Sequence, residues 1–174
     1  MHGNALLTVG LSSALVGAVT WNGFDWIVDA TSTTQFCLSC HEMRIMQEEL
    51  SQTIHAKNRA GVPVQCADCH VPKGTVEKLV AKIQALDDIY GHLVGVIDTP
   101  EKFEARREDM AHAARAAMRS NRSQACRRCH NFEAMDFSKQ GDRARRNHNE
   151  AMNSGESCVD CHKGVAHKLP PGFD

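Results

Sequence analysis

From Ala5 to Phe24 the chain runs twenty residues without a charge, ALLTVGLSSALVGAVTWNGF, and the run stops at Asp25. At helical rise such a stretch reaches about 30 Å, the thickness of the hydrocarbon layer of a bilayer. Trp21, Phe24 and Trp26 gather at its far end, where amphipathic aromatic rings favour the membrane–water boundary. The pattern predicts a single membrane-anchoring helix within residues 1–30. A cleaved secretory leader ending at Val28-Asp29-Ala30 is the competing reading. Lys and Arg are absent before the run, and Arg44 is the first in the chain, so flanking charge does not orient it. Beyond a polar connector, Thr31 to Thr34, two further stretches have helical character, 75–96 and 100–119. The second opens on Thr99 as cap, Pro100 at the first helical position and Glu101 behind it, and fades near Ser120-Asn121. No alternating stretch of useful length appears, so little or no sheet is expected. The tail, Leu169-Pro170-Pro171-Gly172, reads as irregular.

Composition changes this picture in one respect. The whole chain has 174 residues, and the part after the anchor, 31–174, is one domain by length. Yet aromatic content is only 5% and mean hydropathy is −0.39, poor resources for a core that must offset chain entropy. Something besides side chains must fill the interior. A net charge of −1 and no basic tract interleaved with aromatics argue against nucleic acid as a partner.

The cysteines supply the missing component. All eight lie in four Cys-x-x-Cys-His motifs: Cys37, Cys40 and His41; Cys66, Cys69 and His70; Cys126, Cys129 and His130; Cys158, Cys161 and His162. In this motif the two thiols add across the vinyl groups of a haem, and the adjacent histidine is held beneath the iron. A four-thiolate zinc site or a thioredoxin-like dithiol would also use paired cysteines. Neither calls for a histidine after the second cysteine four times out of four. The chain is therefore read as carrying four covalently bound haem c groups, large apolar plates that form part of the core. Thioether attachment takes place on the oxidising, exported side of a bacterial membrane, which puts the haem domain in the periplasm and the N-terminus inside.

The motifs fall into two pairs, with motif histidines 29 and 32 residues apart. Each pair has a histidine midway, His55 or His148, and closes on Cys-x-Asp-Cys-His. This suggests two dihaem halves, about 31–73 and 121–168, joined by a helical linker, 74–120. The expected fold is thus mainly α.

A second protein ligand closes a haem iron and makes an electron carrier, whereas an open position admits substrate. Six histidines lie outside the motifs. His55, His148 and His167 each follow a motif at a distance that lets a short helix or turn swing back over a haem, and they are the candidate ligands. His2 and His112 read as solvated, and His92 as a packing residue. Three histidines close three haems. The first haem is left with Met43, two residues past His41, as a candidate sulfur ligand, although methionine is more often core filler.

The stretches Phe36-Cys37-Leu38-Ser39-Cys40-His41-Glu42-Met43, Cys69-His70-Val71-Pro72, Tyr90-Gly91, Glu133-Ala134-Met135-Asp136-Phe137 and Cys161-His162-Lys163-Gly164-Val165-Ala166-His167 resemble the NapC/NirT family of membrane-anchored tetrahaem quinol dehydrogenases, over about Leu6 to Pro170. The resemblance implies quinol oxidation, of menaquinol or ubiquinol, at the membrane surface beside the first haem. Electrons would then pass to a periplasmic reductase of the nitrate or nitrite respiration type. It implies His148 opposite His70, His167 opposite His130 and His55 opposite His162, with Met43 on the first iron in place of His41 and His41 itself as the alternative. It also implies that Lys82 and Asp88 line the quinol pocket, the acid accepting a proton. Lys73 stands where family members often carry a histidine, and a neutral lysine can itself ligate haem. The expected setting is a single-pass protein of the bacterial inner membrane, with the lipid bilayer and a redox protein as partners and a homo-oligomer as a further possibility. Electron flow in reverse, toward quinone, and a catalytic multihaem reductase are the alternatives. A soluble shuttle cytochrome would need no anchor.

Overall fold

The computed structural model describes residues 2–173, helical and without a strand among them. The side chain of His2 lies outside the described residues. The apolar run folds as one continuous helix, α1 (His2–Ala30), long and apolar enough to cross a membrane over Asn4–Ala30 and not buried against the rest of the chain. Several of its polar side chains are satisfied within the helix. Thr8 and Thr20 donate to the carbonyls of Ala5 and Val16, and Asn22 to that of Ala18. This arrangement needs no water, as a hydrocarbon environment demands.

The remaining helices are short: α2 (Thr34–Cys37), α3 (Met43–Ser51), α4 (Cys66–His70), α5 (Thr75–Gln84), α6 (Leu86–Leu93), α7 (Pro100–Ala105), α8 (Arg107–Ser120), α9 (Gln124–Arg127), α10 (Asp142–Ser154) and α11 (Cys158–Cys161). Two stretches expected to be continuous are broken. The 75–96 helix divides at Ala85, which ends α5 and starts α6 with helical dihedrals and no glycine or proline to force the break. The 100–119 helix divides at Arg106, just before Arg107. The cause there is tertiary: Arg107 turns inward to Glu49, Glu104 and the Lys168 carbonyl. The predicted start of α7 is present, Thr99 Oγ1 accepting from Lys102 N at 3.3 Å with Pro100 behind it.

Very little of the interior is made of side chains. Among the described residues only Leu50, Ile97 and Phe103 are buried apolar groups. The accessible surface, 12568 Å², compares with about 8,400 Å² for a compact chain of this mass. The unpacked helix α1 contributes to the excess, and so do the open faces of the short helices around the four motifs. This agrees with an interior that side chains alone do not fill.

The base of α1 is tied to the rest by α5. Lys78 Nζ pairs with Asp29 Oδ1 at 2.9 Å, and Lys82 Nζ donates to Thr31 Oγ1 at 3.0 Å and to the Thr31 carbonyl. Helix α5 therefore lies beside the end of α1 that carries Trp21, Phe24 and Trp26, and α6 packs against α5. They expose Val76, Val80, Ile83, Leu86, Ile89 and Leu93 there.

Candidate functional site

Each motif sits on one short helix or on the turn that follows it. In the first and third, α2 and α9 carry the first cysteine; in the second and fourth, α4 and α11 begin at it. The paired motifs touch. Cys37 lies against Cys66 and Cys126 against Cys158, and burial, then the neighbouring thiol, pushes the Cys37 and Cys126 thiols above their ordinary pKa. All eight thiols are free of disulfides.

The same hydroxyl device joins the motifs in both pairs. Thr34, three residues before Cys37, donates to Gln65 Oε1 at 2.8 Å and accepts from Cys66 N at 3.3 Å. Ser123, three residues before Cys126, lies 2.5 Å from Ser157 Oγ and accepts from Val159 N at 3.4 Å. A hydroxyl at one relative position thus meets the residue just before the second motif in each half. The halves are linked by α4 against α9, where Arg128 donates to the Asp68 carbonyl.

The imidazoles form four pairs, each joining one motif histidine to one histidine outside the motifs. Ring centres are 6.2 Å apart for His55 and His130, 6.3 Å for His70 and His167, 5.9 Å for His148 and His162, and 5.9 Å for His41 and His92. Two imidazoles bonded to one metal at about 2 Å per bond have ring centres about 6 Å apart, so each spacing fits one haem iron. Ordinary aromatic contacts fall in the same range of about 4.5–7 Å. What distinguishes these pairs is that every motif histidine has one.

The nitrogens give a second criterion. A metal-bound histidine ordinarily donates its other ring N–H to an oxygen, which fixes tautomer and orientation. His55 Nδ1 meets the Val165 carbonyl at 3.2 Å, His148 Nδ1 meets Gln140 Oε1 at 2.6 Å and His92 Nδ1 meets Glu42 Oε1 at 2.7 Å. His167 Nδ1 faces Glu49 Oε2 at 3.9 Å. Burial holds His167 below its ordinary pKa against the opposing pull of Glu49.

These pairings differ from those the resemblance implies. His70 faces His167 rather than His148, His130 faces His55 rather than His167, and His162 faces His148 rather than His55. The cause is the path of the C-terminal segment. Lys168 N donates to Glu49 Oε2 at 3.0 Å and Arg107 Nη1 to the Lys168 carbonyl at 3.0 Å. That clamp carries His167 into the first half, while only residues 155–157 separate α10 from α11, which keeps His148 beside His162.

His92, read from sequence as a packing residue, is instead the partner of His41. Glu42 between them is 2% exposed, with one carboxylate oxygen on His92 and the other 3.7 Å from His41 Nδ1. The sequence signal that could have found it is the fourfold count: four motif histidines ask for four partners. Met43 is half-buried at the first position of α3. His112 is exposed as expected. Lys73 is exposed and lies 3.9 Å from Asp68 Oδ1, while His70 has an imidazole partner of its own.

Lys82 and Asp88 stand on either side of the break at Ala85. Burial lowers the Lys82 pKa, and its ammonium gives two of its three hydrogens to the carbonyl and hydroxyl of Thr31 at the foot of α1. Asp88 lines a groove with Gly91, Ile97, Arg106 and Met110, and burial, then Asp87 beside it, raises its carboxyl above the usual range.

Comparison with known proteins agrees with the motifs. The NapC/NirT cytochrome c family, N-terminal region, matches residues 2–172. The chain is 46% identical to the cytochrome c-type protein NapC of Escherichia coli K12, over 97% of this chain and 88% of that one. It is 45% identical to the denitrification system component NirT of Stutzerimonas stutzeri, over 97% and 83% of the two chains. A putative tetraheme cytochrome-c type protein of Allochromatium vinosum is 45% identical, over 95% and 90%. No solved structure matches the chain significantly. Four haem-attachment motifs on a helical scaffold and a match along nearly the whole length place this chain in the NapC/NirT cytochrome c family.

Proposed function

We propose that this chain is a membrane-anchored quinol dehydrogenase that takes electrons from menaquinol or ubiquinol at the foot of α1 and delivers them to a periplasmic reductase. The observation that carries the reading is the set of imidazole pairs, each about 6 Å apart with an oxygen near the outer nitrogen. Bound at the eight cysteines, haem c supplies a one-electron iron couple at each motif. His70 with His167, His130 with His55 and His162 with His148 are the residues that would hold its irons. Pairs of this kind leave no room for a small substrate, which disfavours a catalytic reductase of nitrite or hydroxylamine.

The quinol side follows from the attachment of α5. Lys78 and Lys82 hold that helix to Asp29 and Thr31, so the apolar row from Val76 to Leu93 meets the bilayer surface where a lipid-soluble quinol arrives. Lys82 offers its ammonium to a quinol oxygen. Asp88 takes up a proton as the quinol gives up its electrons, since a carboxylate whose pKa lies above the usual range is a better base. Attachment chemistry puts the haem domain in the periplasm and the start of α1 in the cytoplasm. Two dihaem halves related by duplication account for the matching roles of Thr34 and Ser123. The test is reduction of the purified protein in detergent by a quinol, followed by haem absorbance; failure with every quinol, while a strong chemical reductant still reduces the haems, sinks the reading.

A further inference from the structure

His92 combines three features that the assigned motifs do not use. Its ring centre lies 5.9 Å from that of His41, the same spacing as in the other three pairs. Its Nδ1 is 2.7 Å from Glu42 Oε1, so the outer nitrogen is held by a carboxylate and Nε2 is left to bind. A ligand atom of His92 also lies within 4.8 Å of one on Cys40 and one on Glu42, which sets the imidazole beside the second attachment thiol of the first motif. Glu42 is buried while lying next to an exposed histidine in sequence. Burying a carboxylate is costly unless it is paired, and its partner here is His92.

We propose that His92 is an axial ligand of the first haem, opposite His41, with Glu42 as the positioning residue that fixes its tautomer and ring orientation. The first haem is then closed by two imidazoles like the other three, and Met43 is not bound to iron. Electrons from quinol enter this centre through the porphyrin edge rather than at an open iron position. His41 differs from the other motif histidines in one way: its Nε2 lies 2.6 Å from the Asp98 carbonyl. To bind the iron through that nitrogen, His41 would have to leave the carbonyl. Lys102 holds the same turn through Asp98 Oδ1 and the Gly95 carbonyl. The assignment rests on the tetrahaem reading of the chain and not on the direction or source of electrons.

The test is the spin state and ligand signature of the four ferric haems in the purified full-length protein, read by electron paramagnetic resonance and near-infrared magnetic circular dichroism. The wild type is expected to show four low-spin haems and no sulfur-to-iron charge-transfer band. His92→Ala is expected to retain four haems, convert one in four to high spin, and recover low spin when imidazole is added. Met43→Leu is expected to change nothing. His92→Met, which supplies a ligand of similar reach, is expected to stay low-spin and gain the sulfur band, so the outcome does not depend on the alanine variant folding. A sulfur band in the wild type that vanishes in Met43→Leu would overturn the proposal, as would His92→Ala keeping four low-spin haems. Failure of quinol reduction with one haem still converted would sink the quinol reading and leave this assignment standing.

Discussion

Arg107 and Glu49, 58 residues apart, face each other fork to fork, Nη2 to Oε1 at 2.8 Å and Nη1 to Oε2 at 3.1 Å, with both side chains about nine-tenths buried. Glu49 also accepts from Lys168 N, so one ion pair ties α3, α8 and the C-terminal segment together. Removing one partner of such a pair leaves the other charge buried, at a cost of about 3–5 kcal/mol. Arg107→Ala should lower the unfolding free energy of the holoprotein by that amount and loosen the loop bearing His167. Arg107→Lys should recover only part, because an ammonium lacks the planar fork. A denaturant titration of the two variants checks both.

The same pair sets an acid limit. Burial pushes the Glu49 carboxyl up, but the hydrogen bonds from Arg107 and Lys168 outweigh it and leave the pKa below its ordinary value. A carboxylate depressed in the fold stabilises above its unfolded pKa of about 4.3, and loses that contribution as pH falls through the lower folded value. Stability attributable to Glu49 should therefore be flat from neutral pH to about 5 and decline only below. Comparing wild type with Glu49→Gln across that range should show the difference shrinking only at the acid end.

The hydroxyls that join the motifs should be unequal. Ser123 is fully buried and sits in the left-handed region at φ 54°, whereas Thr34 is half-buried. Ser123→Ala strands the buried Ser157 hydroxyl and the Val159 N–H, a loss of about 1–3 kcal/mol. Thr34→Ala should cost less, since water can reach Gln65. Chemical denaturation of the two variants gives the ranking, and the reverse order would contradict a common role scaled by burial.

Much of the site was legible in the sequence because covalent attachment demands local spacing: eight cysteines and four histidines are fixed by adjacency alone. Thr99 and Pro100 were legible as a helix start for the same reason, since capping acts over three residues. The breaks at Ala85 and Arg106 were not, the second because it depends on Glu49 far away in sequence. Pairing of the motif histidines with those outside the motifs was likewise out of reach. His167 reaches His70 only because Lys168 is clamped to α3, and His92 finds His41 across fifty residues through Glu42. Reading helix faces did not reveal either relation.

Asp88 offers a pH signature for the quinol side. Its carboxyl is raised by burial first and by Asp87 second, and only the ionised form accepts a proton. The rate of reduction by quinol should rise with pH as Asp88 ionises, through a value above the ordinary aspartate pKa of about 3.9. In Asp88→Asn that limb should be absent while reduction by dithionite is unchanged. An identical pH profile in the variant would remove Asp88 from the proton path.

The most direct measurement is stopped-flow mixing of the detergent-solubilised protein with a short-chain menaquinol or ubiquinol analogue, wild type beside Lys82→Ala, with dithionite as control. A quinol dehydrogenase predicts rapid haem reduction by at least one quinol, slowed about tenfold or more in Lys82→Ala, with the dithionite reaction equal in both. Four intact haems that dithionite reduces and no quinol does would contradict it.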